Sequence, residues 1–165
     1  AVQPDIVCLS KGITGGFLPL AVTICTEQIY TAFYSDDPIK TLYHGHSYTA
    51  NPLGCAAGLA SWELMQENEP KFKAMEAKHL HHIAALRTDP KLEKFRVCGT
   101  IAAMDIVTND QPGYLNQIGS EIRQRAIERG VLLRPLGNVL YLMPPYCITD
   151  QELALAYETI QQILD

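Results

Sequence analysis

Lys11 stands where a β-rich run ends and a glycine-rich loop begins, in Ile6-Val7-Cys8-Leu9-Ser10-Lys11-Gly12-Ile13-Thr14-Gly15-Gly16. An ammonium at the end of a buried strand is partly desolvated, which favours the neutral amine, a nucleophile or a base. The competing reading is a lysine that lays its stem along the strand end and keeps its charge in water. A Walker-type phosphate loop is excluded, because there the lysine follows the glycines. The second group is His44-Gly45-His46-Ser47-Tyr48. Two histidines at i, i+2 could ligate a metal, but no Cys, Asp or Glu stands at a matching spacing. A glycine-hinged loop with the Ser47 hydroxyl and backbone N–H groups suits a phosphate better. Arg134 is third: it interrupts the apolar stretch Val131-Leu132-Leu133-Arg134-Pro135, where an unpaired charge is costly to bury. Either it faces solvent or it awaits a carboxylate or phosphate in a fork geometry. Tyr146 follows the φ-restricted pair Pro144-Pro145 and could wall a pocket. His79, His81 and His82 read as the solvated face of a charged helix.

The elements that must position these residues are punctuated clearly. Ile6–Leu9, apolar on both faces, predicts a buried strand inside a parallel sheet. Leu20–Cys25 predicts a second strand, and Thr26 an N-cap for a short helix to about Tyr34. Asn51-Pro52 is a helix start, with Asn as cap and Pro at the first helical position. The helix opens with Gly54, Cys55, Ala56, Ala57, Gly58 and Ala60, small residues that allow another backbone to approach. It is expected to reach about Asn68, with a second helix from Pro70 to about Leu86. Phe95–Val107 reads as a long strand broken at Gly99. Leu115–Arg129 reads as an amphipathic helix stopped by Gly130. Val131–Leu133 and Val139–Leu142 read as a hairpin around Pro135-Leu136-Gly137-Asn138. Thr149-Asp150-Gln151-Glu152 is a capping box opening the last helix. The expected division is 1–52 as part of a larger α/β domain, 53–87 as connecting helices and 88–165 as a small α+β domain.

Composition removes several classes of function. The 165 residues are 47% hydrophobic and 19% charged, enough apolar material for a packed core and too much for disorder. Thirteen Lys and Arg against eighteen Asp and Glu leave a net charge of −5, so neither nucleic acid nor an anionic membrane is an expected partner. No apolar run approaches the roughly 18–20 residues that cross a bilayer, and Pro4 and Asp5 interrupt what a secretory leader would need. Five cysteines, an odd set without a CxxC pair, argue against a disulfide framework or zinc site and for a reducing, cytoplasmic setting. A strand that needs neighbours, so close to an Ala-Val-Gln-Pro start, points to a fragment.

In combination these pieces are more specific. Pro4–Gly16 resembles the cofactor-lysine segment of the class III pyridoxal-phosphate aminotransferases, and His44–Pro52 with the small helix residues after it resembles the same family's phosphate loop. Arg134-Pro135-Leu136-Gly137-Asn138 followed by Tyr141-Leu142-Met143-Pro144-Pro145-Tyr146 is similar to the branch serving biotin biosynthesis. That branch moves an amino group from S-adenosylmethionine to 8-amino-7-oxononanoate, giving 7,8-diaminononanoate. The resemblance implies an α/β fold: the C-terminal part of a fold-type I pyridoxal-phosphate-dependent transferase, comprising the end of the large-domain sheet plus the small α+β domain. It implies that Lys11 binds the cofactor covalently and moves the proton in catalysis. Ser47, with the adjacent backbone of His46, would bind the phosphate of the partner subunit's cofactor in a homodimer; serine stands where threonine is usual and keeps the hydroxyl. Gly45 and Arg134 would hold the keto-acid carboxylate, and Tyr146 would line the substrate pocket, with no metal involved. The family's N-terminal part, with the aspartate that pairs with the pyridine nitrogen, is missing, so the chain alone is expected to be inactive and to bind the cofactor poorly. Two other readings stay open: an ornithine, acetylornithine or ω-amine transaminase of the same class, whose members usually lack this arginine and tyrosine, and a non-catalytic α+β interaction module.

Overall fold

Gly15 and Gly16, with φ of 62° and 82°, reverse the chain after its first strand, and this reversal decides the local topology. The computed structural model describes residues 2–164 and divides into two compact units, one ending at Asn68 and one beginning at Glu69. In the first unit, β1 (Ile6–Leu9) pairs antiparallel with β2 (Val22–Cys25), Ile6 opposite Cys25 and Leu9 opposite Val22. The strand expected at Ile6–Leu9 forms, and no parallel neighbour for it is found among the described residues. The described partner is antiparallel, and Ile6 and Leu9 remain 53% and 43% exposed because nothing in this unit covers the pair. A 3₁₀ turn, Lys11–Thr14, connects them, followed by α1 (Glu27–Phe33) and a second 3₁₀ turn, Pro38–Lys40. Thr26 stands at the N-cap of α1 in extended conformation, although its hydroxyl makes no capping bond.

One helix, α2 (Pro52–Leu86), replaces the two expected around Pro70. A proline inside a helix loses its N–H bond and crowds the carbonyl four residues back, at about 3 kcal/mol. Here the flanking Leu, Met, Glu, Lys and Ala residues are strong helix formers and carry the helix through. The division between the two units still falls within two residues of Pro70.

The second unit is built on an antiparallel sheet of β3 (Leu92–Cys98), β4 (Ile101–Ile106) and β5 (Val139–Leu142), in that order. Phe95–Val107 is thus a hairpin rather than one strand. Gly99, at φ 56°, forms its turn, and the Gly99 N–H donates to Glu76 Oε2 at 2.8 Å. Along β4 the side chains alternate as a pleat requires. Ala102, Met104 and Ile106 enter the core, whereas Asp105 faces the other way and accepts from Arg96 at 2.8 Å and Lys94 at 3.3 Å. Val131–Leu133 is not a strand; only β5 of that expected hairpin pairs, with β4. Pro135 has no N–H to offer a ladder and restricts Arg134 before it.

Helices α3 (Ile118–Glu128) and α4 (Asp150–Leu164) complete the core, with Ile122 and Ala126 from one and Leu153, Ala156, Tyr157, Ile160 and Ile163 from the other. Gly130, at φ 79°, ends α3 as expected. The capping box forms as read: Glu152 N–H donates to Thr149 Oγ1 at 3.2 Å, and Glu152 Oε2 accepts from the Thr149 N–H at 2.8 Å.

His79 overturns the reading of a solvated histidine face. It is fully buried, because the one-turn spacing Met75, His79, Ile83, Leu86 places it on the core side of α2. Its Nε2 lies 3.2 Å from the Thr100 carbonyl, which can only accept, so Nε2 carries the proton and Nδ1 accepts from the Tyr157 hydroxyl at 2.7 Å. The His82 ring stacks on Tyr157 at 4.8 Å. Burial pushes the His79 pKa down, partly countered by the Thr100 carbonyl and reinforced by His82; burial and His81 lower His82 against the opposing pull of Asp150 and Glu158. The folded state therefore holds these imidazoles neutral at pH values where the unfolded chain takes up protons. Their contribution to stability is intact above the ordinary histidine pKa of about 6.5 and is lost as pH falls below it, by at most about 1.4 kcal/mol per pH unit for each proton. Protection factors of the α4 amides in the full-length protein are expected to be level from pH 8 to 7 and to fall between pH 6.5 and 5. A level profile across that lower range would contradict the neutral, hydrogen-bonded histidine.

Candidate active site

Lys11 sits at φ 52°, in the left-handed region that favours glycine. For a lysine this conformation costs about 1–2 kcal/mol, and the surrounding bonds show what holds it. The Gly12 carbonyl accepts from the Gly15 N–H at 3.0 Å, and the Thr14 hydroxyl, buried, donates to the Leu18 carbonyl at 2.5 Å. Outside the loop, Ser61 Oγ of α2 donates to the same Gly12 carbonyl at 3.3 Å. A Cβ on Gly58 would lie 3.3 Å from Leu20 Cδ2 and 3.7 Å from the Ile13 carbonyl oxygen. The small residues opening α2 thus admit the Lys11 turn closely, as their size predicts. The lysine itself is exposed, so the desolvation expected of a buried strand end is not supplied by the described residues.

The second candidate loop enters the same helix at its N-terminus. Asn51 Oδ1 accepts from the Gly54 N–H at 2.7 Å, the capping bond that Asn51-Pro52 predicts. Ahead of it, the His46 N–H donates to Thr49 Oγ1 at 3.0 Å, and His46 Nδ1 accepts from the Tyr48 N–H at 3.1 Å. His46 therefore spends its ring and its N–H inside the turn. Ser47 makes no hydrogen bond among the described residues, so its N–H and hydroxyl are both open donors. A Cβ on Gly45 would meet Thr49 Oγ1 at 3.9 Å, an ordinary contact. The loop's own packing does not require glycine there; a requirement would have to come from a ligand. Ser61 lies roughly 13 Å along the axis from Pro52, at 1.5 Å per residue, so the Lys11 turn and the Ser47 loop reach α2 at different heights.

In the second unit Arg134 is exposed and has no hydrogen bond or ion pair among the described residues. The turn that presents it is nonetheless rigid. Asn138, 2% exposed, donates from Nδ2 to the Ile106 carbonyl at 3.1 Å, accepts at Oδ1 from the Gly113 N–H at 2.7 Å, and accepts at its carbonyl from the Ile106 N–H at 2.7 Å. Leu136 and Val139 exchange both backbone bonds, at 2.9 and 3.0 Å. Arg134 is a free guanidinium on a fixed mount, which suits bidentate capture of a carboxylate. Tyr146 packs its ring on Phe72 of α2, 4.2 Å between centroids, and leaves half its surface exposed.

Sequence reasoning missed Ser61, Asn138, Phe72 and the burial of His79. Ser61 had a signal, since Gly54, Gly58 and Ser61 follow one another at the spacing of a single helix face. A separate cavity of about 420 Å³ is lined by His81, His82, Ala84, Ala154, Tyr157 and Glu158, among others on α2 and α4, and none of Lys11, Ser47, Arg134 and Tyr146 borders it. No group of His, Cys, Asp and Glu among the described residues could hold a metal ion, and no described helix is long and apolar enough to cross a membrane.

The chain is thus mixed α/β, with a lysine turn in left-handed conformation packed on a small-residue helix and a loop with open Ser47 donors leading into that helix. The chain belongs to the aminotransferase class III family, whose model matches residues 1–164. It is 56% identical over 164 residues to the adenosylmethionine-8-amino-7-oxononanoate aminotransferase of Synechococcus elongatus, covering 99% of this chain and 38% of that protein. The crystal structure of the enzyme of that name from Methanocaldococcus jannaschii superposes with a TM-score of 0.88 at 31% identity, over 98% of this chain and 39% of the other. An amine transaminase from an uncultivated Pseudomonas species, solved in its PLP-bound form, gives 0.84 at 30% identity, over 98% and 38%. The chain spans about two-fifths of the length of the relatives it matches, and its fold is that part of theirs.

Proposed function

We propose that this chain is part of a pyridoxal-phosphate-dependent transaminase that moves the amino group of S-adenosylmethionine to 8-amino-7-oxononanoate, giving 7,8-diaminononanoate. The observation that carries the reading is Lys11, held in a left-handed turn that α2 pins from outside, in a chain 56% identical to an enzyme named for that acceptor. The residues present fit the cofactor. Lys11 offers an exposed amine for its aldehyde, and Ser47 offers a hydroxyl and an N–H that no described residue uses. When bound, pyridoxal phosphate supplies an electron sink for the pair left when a substrate C–H loses its proton. Lys11 would hold the cofactor's aldehyde carbon, water being lost as the amine condenses with it, and once displaced by substrate would serve as the free amine that takes and returns the substrate proton. Ser47, beside the His46 backbone, donates to the phosphate, and in this reading, as the family resemblance implies, that phosphate belongs to the cofactor of a second copy in a homodimer. By the same resemblance Arg134 and Gly45 hold the keto-acid carboxylate, and Tyr146, braced by Phe72, lines the substrate pocket.

In this reading residues 1–52 close the cofactor-binding domain, 53–87 connect, and 88–165 form the small domain. The five cysteines, all unpaired, support a reducing, cytoplasmic setting. The test is turnover of the full-length enzyme with S-adenosylmethionine against ornithine and 4-aminobutyrate as donors. Preference for the latter two would replace this substrate assignment with another transaminase of the class. In the same assay Arg134→Ala is expected to raise KM for the keto acid about 30-fold, the loss of one charge-assisted pair, and to leave the donor half-reaction unaltered. An unchanged keto-acid KM would remove Arg134 from the carboxylate site.

A further inference from the structure

A serine inside a helix ordinarily returns its hydroxyl to the carbonyl a turn behind it. Ser61 instead donates to Gly12, 49 residues away in sequence. That carbonyl belongs to the residue directly after Lys11, and it is the acceptor that closes the 3₁₀ turn through the Gly15 N–H at 3.0 Å. The remaining bonds of the turn, Ile13 N–H to the Ser10 carbonyl and Phe17 N–H to the Thr14 carbonyl, lie within the loop. Ser61 supplies a side-chain hydrogen bond to the turn from outside it. The helix face approaches the turn closely at Gly58, where a Cβ would lie 3.3 Å from Leu20 Cδ2. A lysine at φ 52° keeps that conformation only while its surroundings over-determine it.

We infer that Ser61 is a positioning residue for Lys11: its hydroxyl, through the Gly12 carbonyl, holds the lysine turn in the conformation from which the amine meets the cofactor aldehyde. The inference rests on the transaminase reading and adds to it a residue that touches neither cofactor nor substrate. Removing the hydroxyl relaxes the turn, so the amine spends less of its time correctly placed. Both cofactor retention and the proton-transfer step then suffer, while substrate binding does not.

The experiment compares Ser61→Ala and Ser61→Thr with the parent full-length enzyme. It measures the Kd for pyridoxal phosphate by absorbance titration of the apoenzyme, and kcat and KM of the donor half-reaction. Ser61→Ala is expected to raise the Kd about fivefold and lower kcat about fivefold, the equivalent of one ordinary hydrogen bond. The donor KM should stay within about twofold and the melting temperature should hold, since alanine is the better helix former. Ser61→Thr, which keeps the hydroxyl, should restore both quantities. Unchanged Kd and kcat in Ser61→Ala would overturn the inference, as would equal losses in the alanine and threonine variants. Borohydride reduction of the parent enzyme separates the two levels: no cofactor label on Lys11 defeats the transaminase reading itself, whatever Ser61 does.

Discussion

Lys11→Ala in the full-length enzyme is expected to lower turnover about a thousandfold or more and to abolish borohydride-trappable cofactor. In the proposed reading two functions would disappear together, the covalent anchor and the base that moves the substrate proton, and base catalysis alone is worth about 10²–10⁴. The structure adds a second arm to this expectation. Lys11 occupies a left-handed conformation at φ 52°, so Lys11→Gly should be equally inactive yet more stable than the parent by about 1 kcal/mol, because glycine pays no penalty there. A chemically required lysine kept at a conformational cost is the pattern expected of a functional site. Thermal melts of the apoenzyme pair, parent and Lys11→Gly, check it. A glycine variant less stable than the parent would show that the side chain contributes to folding and that the strain argument is wrong. Full activity in either variant would remove Lys11 from the reaction.

What the sequence disclosed follows a physical division between local and non-local causes. The capping box at Thr149–Glu152, the Asn51 cap and the Gly130 stop are local chemistry, and each formed where the residue types require it. The errors are non-local. Ile6–Leu9 carries the apolar pattern of a strand covered on both faces, but that local pattern does not say which strand lies beside it; among the described residues β2 pairs with it, antiparallel, across the Gly15-Gly16 reversal. His79 shares a charged helix with His81 and His82, and nothing in that local sequence sets its burial apart from theirs. Its burial depends on Tyr157 and Thr100, which approach from α4 and the β3–β4 turn. Pro70 carries a local penalty that predicts a break, whereas the helix formers on both sides outweigh it. At the candidate site, Lys11, Ser47 and Arg134 were legible as residue types in telling places. The supports that hold them, Ser61 and Asn138, act across 49 and 32 residues of sequence respectively and left only a faint periodic trace.

Gly137→Ala should destabilise the second unit by about 3 kcal/mol or more, and its physical reason reaches back to Arg134. Gly137 lies at φ 60°, and a Cβ there would overlap the Gly113 carbonyl oxygen and lie 2.7 Å from the Gly113 carbonyl carbon and 2.9 Å from the Tyr114 carbonyl carbon. All three are backbone atoms, so no rotamer change relieves the clash; either the 113–114 segment moves or the turn does. Neither can move cheaply, because the Gly113 N–H is bonded to Asn138 Oδ1 while Asn138 Nδ2 and its carbonyl hold Ile106 at the end of β4. Backbone strain and the loss of buried hydrogen bonds therefore add, which places the substitution among the severe class. Gly119 packs against the same turn, its Cβ position 2.6 Å from the Gly137 carbonyl oxygen, so a shift of Gly137 is also transmitted to α3. The consequence for function is separable from that for folding. At a temperature where the variant remains folded, the mount of Arg134 is displaced, and the keto-acid KM should rise while cofactor attachment to Lys11, in the other unit, is retained. Denaturant midpoints and half-reaction kinetics on the full-length enzyme distinguish these effects. A Gly137→Ala protein with parental stability would mean that the 113–114 segment yields freely and that Arg134 is not held by the clamp described.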